Sequence, residues 1–378
     1  MSWSALVVGD VHLRTDENTD DTVAALDFAA KVAGDRSVDA VLFGGDIYEK
    51  TSTPHERAIF ARVLRKLLGR PVYGIRGNHD AHEDLEVFNH VPGNTWAEAP
   101  TIIQAGPVDL LLVPWPDRAF LAALGHTGEA GDLAGSAALA AMLRAMVATR
   151  ERRGAPLILN AHLQVLGALS SSAQPLIGKA IEAVLGDLLD LGLTAGFISH
   201  VHRPQELAVN LFIPGSVTVH DFGEQDEQKR IGLFAIEDDG HWSIDWLATP
   251  CRRWVTIEAG VTNGVAWEHL TPYPYEVPVG IPDEAIAGAN VRYRYRCDES
   301  EQHLFDDAAI RRQFPGAHTL KIDSEISRAD RAREGAARVA AAPTVAEKVQ
   351  AWGAATGTEI TPAHLKKLEQ LESEARNA

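Results

Sequence analysis

Cysteine is nearly absent from this 378-residue chain: only Cys251 and Cys297 occur, and they form no CxxC pair. That excludes a disulfide framework and a cysteine-based zinc site, and it fits a reducing compartment. Long apolar runs are missing too. The longest uncharged stretch, 154–178, holds Pro156, Asn160, His162, Gln164, Gln174 and Pro175, so it does not read as a membrane span. The N-terminal run Ala5-Leu6-Val7-Val8 is too short for a signal peptide and has no basic flank. The expectation is a cytoplasmic protein with no membrane partner. Basic charge is also scarce, with 35 Lys and Arg against 52 Asp and Glu and a net charge of −17. Phosphate backbones are bound by clustered Lys and Arg, so a general nucleic-acid binder is excluded unless metal cations, a basic patch or a partner reverses the sign locally. Hydrophobic residues at 46% and charged residues at 23% rule out a disordered chain. The length predicts more than one domain.

The first half alternates short apolar runs with helical patterns. Ala5–Val8, Val38–Phe43 and Pro71–Ile75 read as strands, each ending in a polar turn. The clearest helix is Thr53–Leu68, where Thr53 and Glu56 form a capping box, Pro54 takes the first helical position and Gly69 ends the stripe. Val108–Val113 is a further strand, followed over Ala119–Ala148 by one or two helices, the second starting near Gly135. Strands are then expected at Leu157–Asn160, Ala195–Ser199, Leu207–Ile213, Ile231–Ile236 and Trp242–Trp246. Late strands with few helices between them predict mixed sheets within an α/β (α+β) fold. Residues 254–282 are proline-rich and carry little pattern. Val291–Cys297 alternates with period two, and a helix near Phe305–Gln313 and a strand near His318–Ile322 complete a small α/β module. From Ser327 the composition turns helical. The expected domains are 1–250, 251–326 and 327–378.

Five polar clusters follow the apolar strands: Asp10-Val-His12, Gly45-Asp46, Gly77-Asn78-His79-Asp80, Asn160-Ala-His162 and Ser199-His200-Val-His202. Strand C-termini gather along one edge of an α/β sheet, so clusters far apart in sequence can converge there. Carboxylate, amide oxygen and imidazole without thiolate suit Mn²⁺, Fe²⁺, Zn²⁺ or Co²⁺. Asp-x-His puts two side chains on one side of an extended segment, within reach of one ion. A carboxylate such as Asp46 can bridge two ions about 3.5–4 Å apart. Asn78 can ligate through its amide oxygen, leaving His79 to act on phosphate and Asp80 to orient His79. Each cluster alone is ordinary turn chemistry; their order and placement together predict a dinuclear centre. His220, beside Asp221, stays outside it.

This series resembles the calcineurin-like metallophosphoesterases, a β-sandwich of two mixed sheets flanked by helices. Several stretches resemble one branch, the SbcD/Mre-type DNA repair nucleases: Asp10-Val-His12-Leu13, Gly45-Asp46-Ile47-Tyr48 with Pro54, and Pro71–Arg76 leading into Gly77–Asp80. His200-Val-His202-Arg203-Pro204-Gln205 and Pro214-Gly215-Ser216, leading to Asp221–Glu224 and Lys229, continue the likeness. The resemblance covers residues 4–247 well and 288–323, as a capping module, less closely. It implies one metal held by Asp10, His12, Asp46 and His202, and a second held by Asp46, Asn78, His162 and His200. Both would be divalent, with Mn²⁺ expected, and His79, supported by Asp80, would be catalytic. Two positions depart from the pattern. Ser199 replaces the usual glycine. Glu49 stands where archaeal and eukaryotic relatives carry a histidine, and bacterial relatives commonly have an acid there.

The activity so implied is 3′–5′ double-strand exonuclease and single-strand endonuclease cleavage. The alternatives are a phosphoesterase for small phosphodiesters or phosphoproteins, and an inactive scaffold. DNA is the expected substrate. The basic side chains of helix 53–68 read as a solvated face, whereas Arg292, Arg294 and Arg296 alternate with Tyr293 and Tyr295 and could face a DNA backbone. In the tail, Thr344–Glu347 is a capping box with Val345, Val349 and Trp352 on one stripe, and Thr361-Pro362 opens a helix carrying Leu365, Leu368 and Leu371. Two short amphipathic helices need a further surface. In the family that surface is the coiled-coil base of an SbcC-type ATPase; the alternative is docking onto this protein's own body, and a homodimer is an open option.

Overall fold

A computed structural model describes residues 2–117, 131–171, 181–262, 265–271, 283–327 and 337–376. The chain divides into two compact units. One comprises Met1–Val255, Ala285–Val291 and Gly316–Thr319; the other comprises Thr256–Glu284, Arg292–Pro315 and Leu320–Ala378.

In the first unit, β1 (Trp3–Val8), β2 (Ala40–Phe43), β3 (Val72–Ile75) and β4 (Asn94–Ala97) run parallel. Helices α1 (Thr19–Asp35) and α2 (Pro54–Lys66) connect the first three. A second sheet is built from β5 (Thr101–Ala105), β6 (Val108–Val113), β7 (Leu157–His162), β10 (Ala195–Ser199), β11 (Gln205–Ala208) and β12 (Leu211–Ile213), with a small pair β8 (Gln164–Val165) and β9 (Glu182–Ala183) beside it. Helices α3 (Gly131–Thr149) and α4 (Leu185–Leu189) belong to this half. The chain then returns to the first sheet as β13 (Arg230–Ile236) and β14 (Trp242–Ala248), antiparallel neighbours, with β13 antiparallel to β1.

Side-chain alternation explains the layering. Trp3, Ala5 and Val7 of β1, with Ala40 and Leu42 of β2, share a buried cluster with Leu110 and Leu112 of β6, Ile158 of β7 and Phe197 of β10. The intervening residues Leu6, Val8, Val41 and Phe43 pack instead with Leu26, Ile59, Phe60 and Val63 of α1 and α2. Leu111, Val113, Leu157 and Leu159 do the same against Leu139 and Leu143 of α3. Strands buried on both faces read as continuous apolar runs, which is why they were legible in sequence. The result is a sandwich of two mixed sheets between helical layers, as expected.

The second unit holds most of a four-stranded sheet in the order β16–β15–β17–β18, from β15 (Trp254–Thr262), β16 (Val265–Thr271), β17 (Asn290–Asp298) and β18 (Thr319–Ser327). It adds α6 (Asp307–Gln313), α7 (Val345–Thr356) and α8 (Pro362–Arg376), while the short α5 (Asp283–Ile286) is divided between the units at Glu284.

Several elements differ from the sequence reading. The expected strand over 207–213 is two antiparallel strands that turn at Val209-Asn210. The stretch from 254, read as patternless, opens with the β15–β16 hairpin, whose cross-strand pairs run from Thr256–Thr271 to Thr262–Val265; its proline-rich part, 272–282, lies outside the described residues. Strands β4 and β5 were not anticipated, because Asn94–Ala97 is only half apolar. Helix α3 starts at Gly131, four residues before the expected Gly135, while 118–130 lies outside the described residues. Among the described residues no helix is long and apolar enough to cross a membrane.

Candidate metal centre

The polar clusters sit where β1, β2, β3, β7 and β10 end. Three of their residues have left-handed backbones: His12 at φ 49°, Asp46 at φ 47° and His200 at φ 111°. For residues other than glycine such conformations cost about 1–3 kcal/mol each and persist where surrounding structure imposes them. Glycine makes the crowding feasible. A Cβ on Gly77 would lie 2.0 Å from Asp46 Oδ1, so the third loop approaches the second only because that position has no side chain. Ser199 finds room in the same way, since a Cβ on Gly44 would come within 1.9 Å of its Oγ.

Asp46 is the hub. Its Oδ1 accepts from the His79 backbone N–H at 2.8 Å. Its Oδ2 lies 3.5 Å from His12 Nε2 and 3.3 Å from His162 Nε2. On the His162 side, Asn78 Oδ1 stands 3.0 Å from His162 Nε2 and 2.7 Å from His200 Nδ1. On the other side, His12 Nε2 and His202 Nε2 face each other at 2.9 Å. Asp10 directs Oδ1 to the His200 N–H at 2.9 Å, while its buried Oδ2 has no hydrogen-bond partner. Two sets of ligand atoms within 4.8 Å of one another share Asp46: His12, Asp46 and His79, and Asp46, His162 and His200.

The imidazoles are oriented by acceptors behind them. His162 Nδ1 donates to the Gly44 carbonyl at 2.8 Å, His12 Nδ1 to Glu49 Oε2 at 3.1 Å, and His202 Nδ1 to Glu224 Oε1 at 2.7 Å. A carbonyl or carboxylate can only accept, so each ring turns its Nε2 lone pair toward the centre. Lone pairs converging with an orphaned carboxylate oxygen are the arrangement a divalent cation satisfies, and the oxygen and nitrogen donors suit a borderline ion. The residues fit a metal pair.

The electrostatics agree. Burial alone would raise the Asp46 carboxyl, but His162 and His12 outweigh it and hold the group well below the usual carboxylate range. Burial disfavours a charged His162, yet Asp46 and Asp10 outweigh that and lift it to about 9. Burial and His162 then push His200 down to about 4. The pocket thus favours positive charge on the Asp46 axis.

His79 is exposed, with Nδ1 donating to the Glu49 carbonyl at 2.7 Å. Asp80 does not orient it, contrary to the sequence reading. Both Asp80 oxygens are taken by backbone N–H groups, from Tyr48 at 3.0 Å and Gly77 at 2.9 Å, so this buried carboxyl braces two loops. Burial and Asp46 raise it to about 6. Glu49 therefore serves His12 through its side chain and His79 through its backbone.

Sequence reasoning also passed over three neighbours. His220 lies with its ring centroid 5.0 Å from that of His12 and 5.2 Å from that of His202, its Nε2 buried and unbonded, and burial holds its pKa well below 6.5. Glu224 was noted only as part of a motif. It joins His202 to Lys229, whose Nζ lies 2.9 Å from Oε2. Trp115, just past the end of β6, lies 4.7 Å from His200 by ring centroids and carried no spacing signal.

Residues 4–165 match the family model of calcineurin-like phosphoesterases, which are metal-dependent hydrolases. That span contains Asp10, His12, Asp46, Asn78, His79 and His162, and stops before His200 and His202. No curated protein matches the chain. Among solved structures, GAP50, the anchor in the inner membrane complex of Plasmodium, is similar at 10% identity over 65% of this chain and 84% of its own, with a TM-score of 0.42. TT1561 of Thermus thermophilus is 13% identical over 65% of this chain and 99% of its own, at 0.38. A dimetal phosphatase from Danio rerio is 10% identical over 65% and 96%, at 0.42. Likenesses this weak add nothing to the site's own geometry, and it is the calcineurin-like phosphoesterases that residues 4–165 resemble.

Proposed function

We propose that the chain is a DNA nuclease, hydrolysing phosphodiesters at a dinuclear centre as the nuclease subunit of an SbcC–SbcD-like repair complex. The observation that carries the hydrolytic part is the Asp46 carboxylate placed between His12 and His162, with the exposed His79 at its rim. DNA as substrate, and the ATPase partner for the α7–α8 tail, are supported by the branch-specific stretches from Asp10 to Lys229.

In this reading one ion is held by Asp10, His12, Asp46 and His202 and the other by Asp46, Asn78, His162 and His200, with Mn²⁺ the proposed metal. Two divalent cations held so supply the charge that a phosphodiester transition state requires. The chain's own groups do the rest. Asp46 keeps the two ligand sets in register, because its backbone-bonded Oδ1 fixes where Oδ2 points. His12, His162 and His202 would offer Nε2 to the ions, because Nδ1 of each faces an acceptor, the Glu49 carboxylate, the Gly44 carbonyl and the Glu224 carboxylate. His79, with Nδ1 tied to Glu49, has only Nε2 left to exchange a proton with phosphate or leaving group.

The test incubates pure protein with end-labelled duplex and single-stranded DNA, and with a phosphomonoester dye, under Mn²⁺, Mg²⁺ or EDTA. Cleavage of DNA with Mn²⁺ that EDTA abolishes is expected. Activity confined to the phosphomonoester would refute the nuclease reading.

A further inference from the structure

A cavity of about 220 Å³ opens beside the metal centre, with Pro100, Pro114 and Trp115 on its walls and Arg76, Glu98 and Asp117 among its polar residues. It shares structure with the site. The Trp115 indole lies 4.7 Å from the His200 ring and 5.9 Å from the His162 ring, centroid to centroid. The Trp115 backbone N–H donates to the carbonyl of Arg76, the residue immediately before the Gly77–Asp80 loop, at 2.9 Å. Trp115 therefore lies between the cavity and the imidazoles of the metal centre, a wall of the one and a neighbour of the other.

Its shape and charge narrow the occupant. Drug-sized ligands occupy about 300–1,000 Å³, so this space suits one flat ring system. Its cation is already engaged: the buried Arg76 guanidinium lies 3.0 Å from Glu98 Oε2 and 3.0 Å from Asp117 Oδ2, and Nη2 also donates to the Trp115 carbonyl at 3.2 Å. A further phosphate would meet two carboxylates around the committed guanidinium, and the other basic side chain on the wall, His82, already lies 3.1 Å from Asp117 Oδ2 and 3.4 Å from Glu98 Oε2. A neutral ring would not, and Pro100, Pro114 and the Trp115 indole give it apolar walls.

We infer that this cavity is a nucleobase subsite, in which the base flanking the scissile phosphate stacks on Trp115. The inference rests on the nuclease reading. Stacking on an aromatic side chain tolerates every base, because each has a π face, so the subsite adds affinity without dictating sequence.

The experiment compares two single-stranded oligonucleotides, identical except that one lacks the base beside the cleaved linkage, for wild type, Trp115→Ala and Trp115→Phe. Wild type should cleave the complete strand with kcat/KM about tenfold above the abasic one, mostly through KM. Trp115→Ala should bring that ratio close to one, and Trp115→Phe should restore most of it. A ratio near one in wild type, or an unchanged ratio in Trp115→Ala, overturns the subsite. Because the ratio is read within each protein, any disturbance of His200 by the alanine cancels. If neither oligonucleotide is cut while a simple phosphodiester dye is hydrolysed, the nuclease reading itself fails and the subsite falls with it.

Discussion

Replacing Glu224 by Gln should weaken one metal and spare the other. Glu224 is almost wholly buried, and its two oxygens serve three donors: His202 Nδ1 at 2.7 Å, Lys229 Nζ at 2.9 Å and the His220 N–H at 3.0 Å. Burial would raise its pKa, but His202 and Lys229 outweigh burial and keep it well below the usual range, so it is a carboxylate throughout the neutral range. A glutamine of the same shape can accept from His202 only by turning its NH₂ group toward the Lys229 ammonium, or the reverse. Losing such a carboxylate behind a metal-binding imidazole typically lowers metal affinity 10–100-fold, or about 1.4–2.7 kcal/mol. Breaking a buried ion pair costs about 3–5 kcal/mol; here the loss in stability should fall below that, since Lys229 keeps Glu227 at 2.7 Å and the His202 carbonyl at 3.1 Å. Calorimetric Mn²⁺ titration should resolve two events in wild type. In the variant only the event on the His12–His202 side should weaken, because Asn78, His162 and His200 make no hydrogen bond to Glu224. Two unchanged affinities would refute the reasoning, and equal weakening of both would show that Glu224 acts on the whole site.

Three further outcomes are expected. His79→Gln should lose about 10²–10⁴-fold in turnover while still binding two equivalents of metal; if one equivalent disappears in metal analysis, His79 is a ligand, as its place in the cluster with His12 and Asp46 also allows. Glu56 accepts from Thr53 N–H at 2.7 Å and Thr15 N–H at 2.9 Å, and these donors outweigh burial to lower its pKa. A depressed folded pKa stabilises above the unfolded value near ~4.3 and is lost as pH falls through the folded value, so Glu56→Ala should cost about 1 kcal/mol at pH 7 and progressively less in acid denaturation curves. A chain stopped after Ser327, where β18 ends, should fold, bind metal and cut short DNA but fail to co-purify with an SbcC-type ATPase; full-strength co-purification would show that the tail is not the dock.

The site was legible because its residues are chemically conspicuous and follow strands that are conspicuous too. Asp10, His12, Asp46, Asn78, His162, His200 and His202 all end a run such as Ala195–Ser199, buried on both faces, and the sheet edge does the gathering. The residues that orient them were not legible in the same way. A carboxylate behind an imidazole can come from anywhere in the chain. Glu49 is 37 residues from His12 and Glu224 is 22 from His202, and no local spacing marks either. Asp80 shows the opposite error. Sequence adjacency suggested a partnership with His79, but the turn that exposes His79 rotates the Asp80 carboxyl inward to the Tyr48 and Gly77 N–H groups. The missed hairpin β15–β16 has a similar cause, since its register comes from cross-strand pairing, which no single-strand pattern contains.

The arginines of β17 bear on how an acidic chain would hold DNA. In sequence they alternate with tyrosines as a basic face. In the structure Arg292 Nε donates to Thr256 Oγ1 at 3.2 Å, Arg294 Nε to Glu258 Oε1 at 3.0 Å and Arg296 Nε to Glu325 at 2.6 Å. Tyr293 and Tyr295 are buried on the other face, the first donating to Glu268 at 2.6 Å. These arginines therefore stitch β17 to its neighbours rather than standing clear for phosphates. On α2, Lys66 pairs with Asp27 at 2.5 Å, and Arg57 donates to Ser52 Oγ at 2.7 Å. Within a chain of net charge −17, the Asp46 centre favours positive charge, since the pocket lifts His162 to about 9. On the nuclease reading, affinity for a phosphodiester then comes chiefly from what that centre holds and from the partner subunit, and little from clustered lysine and arginine.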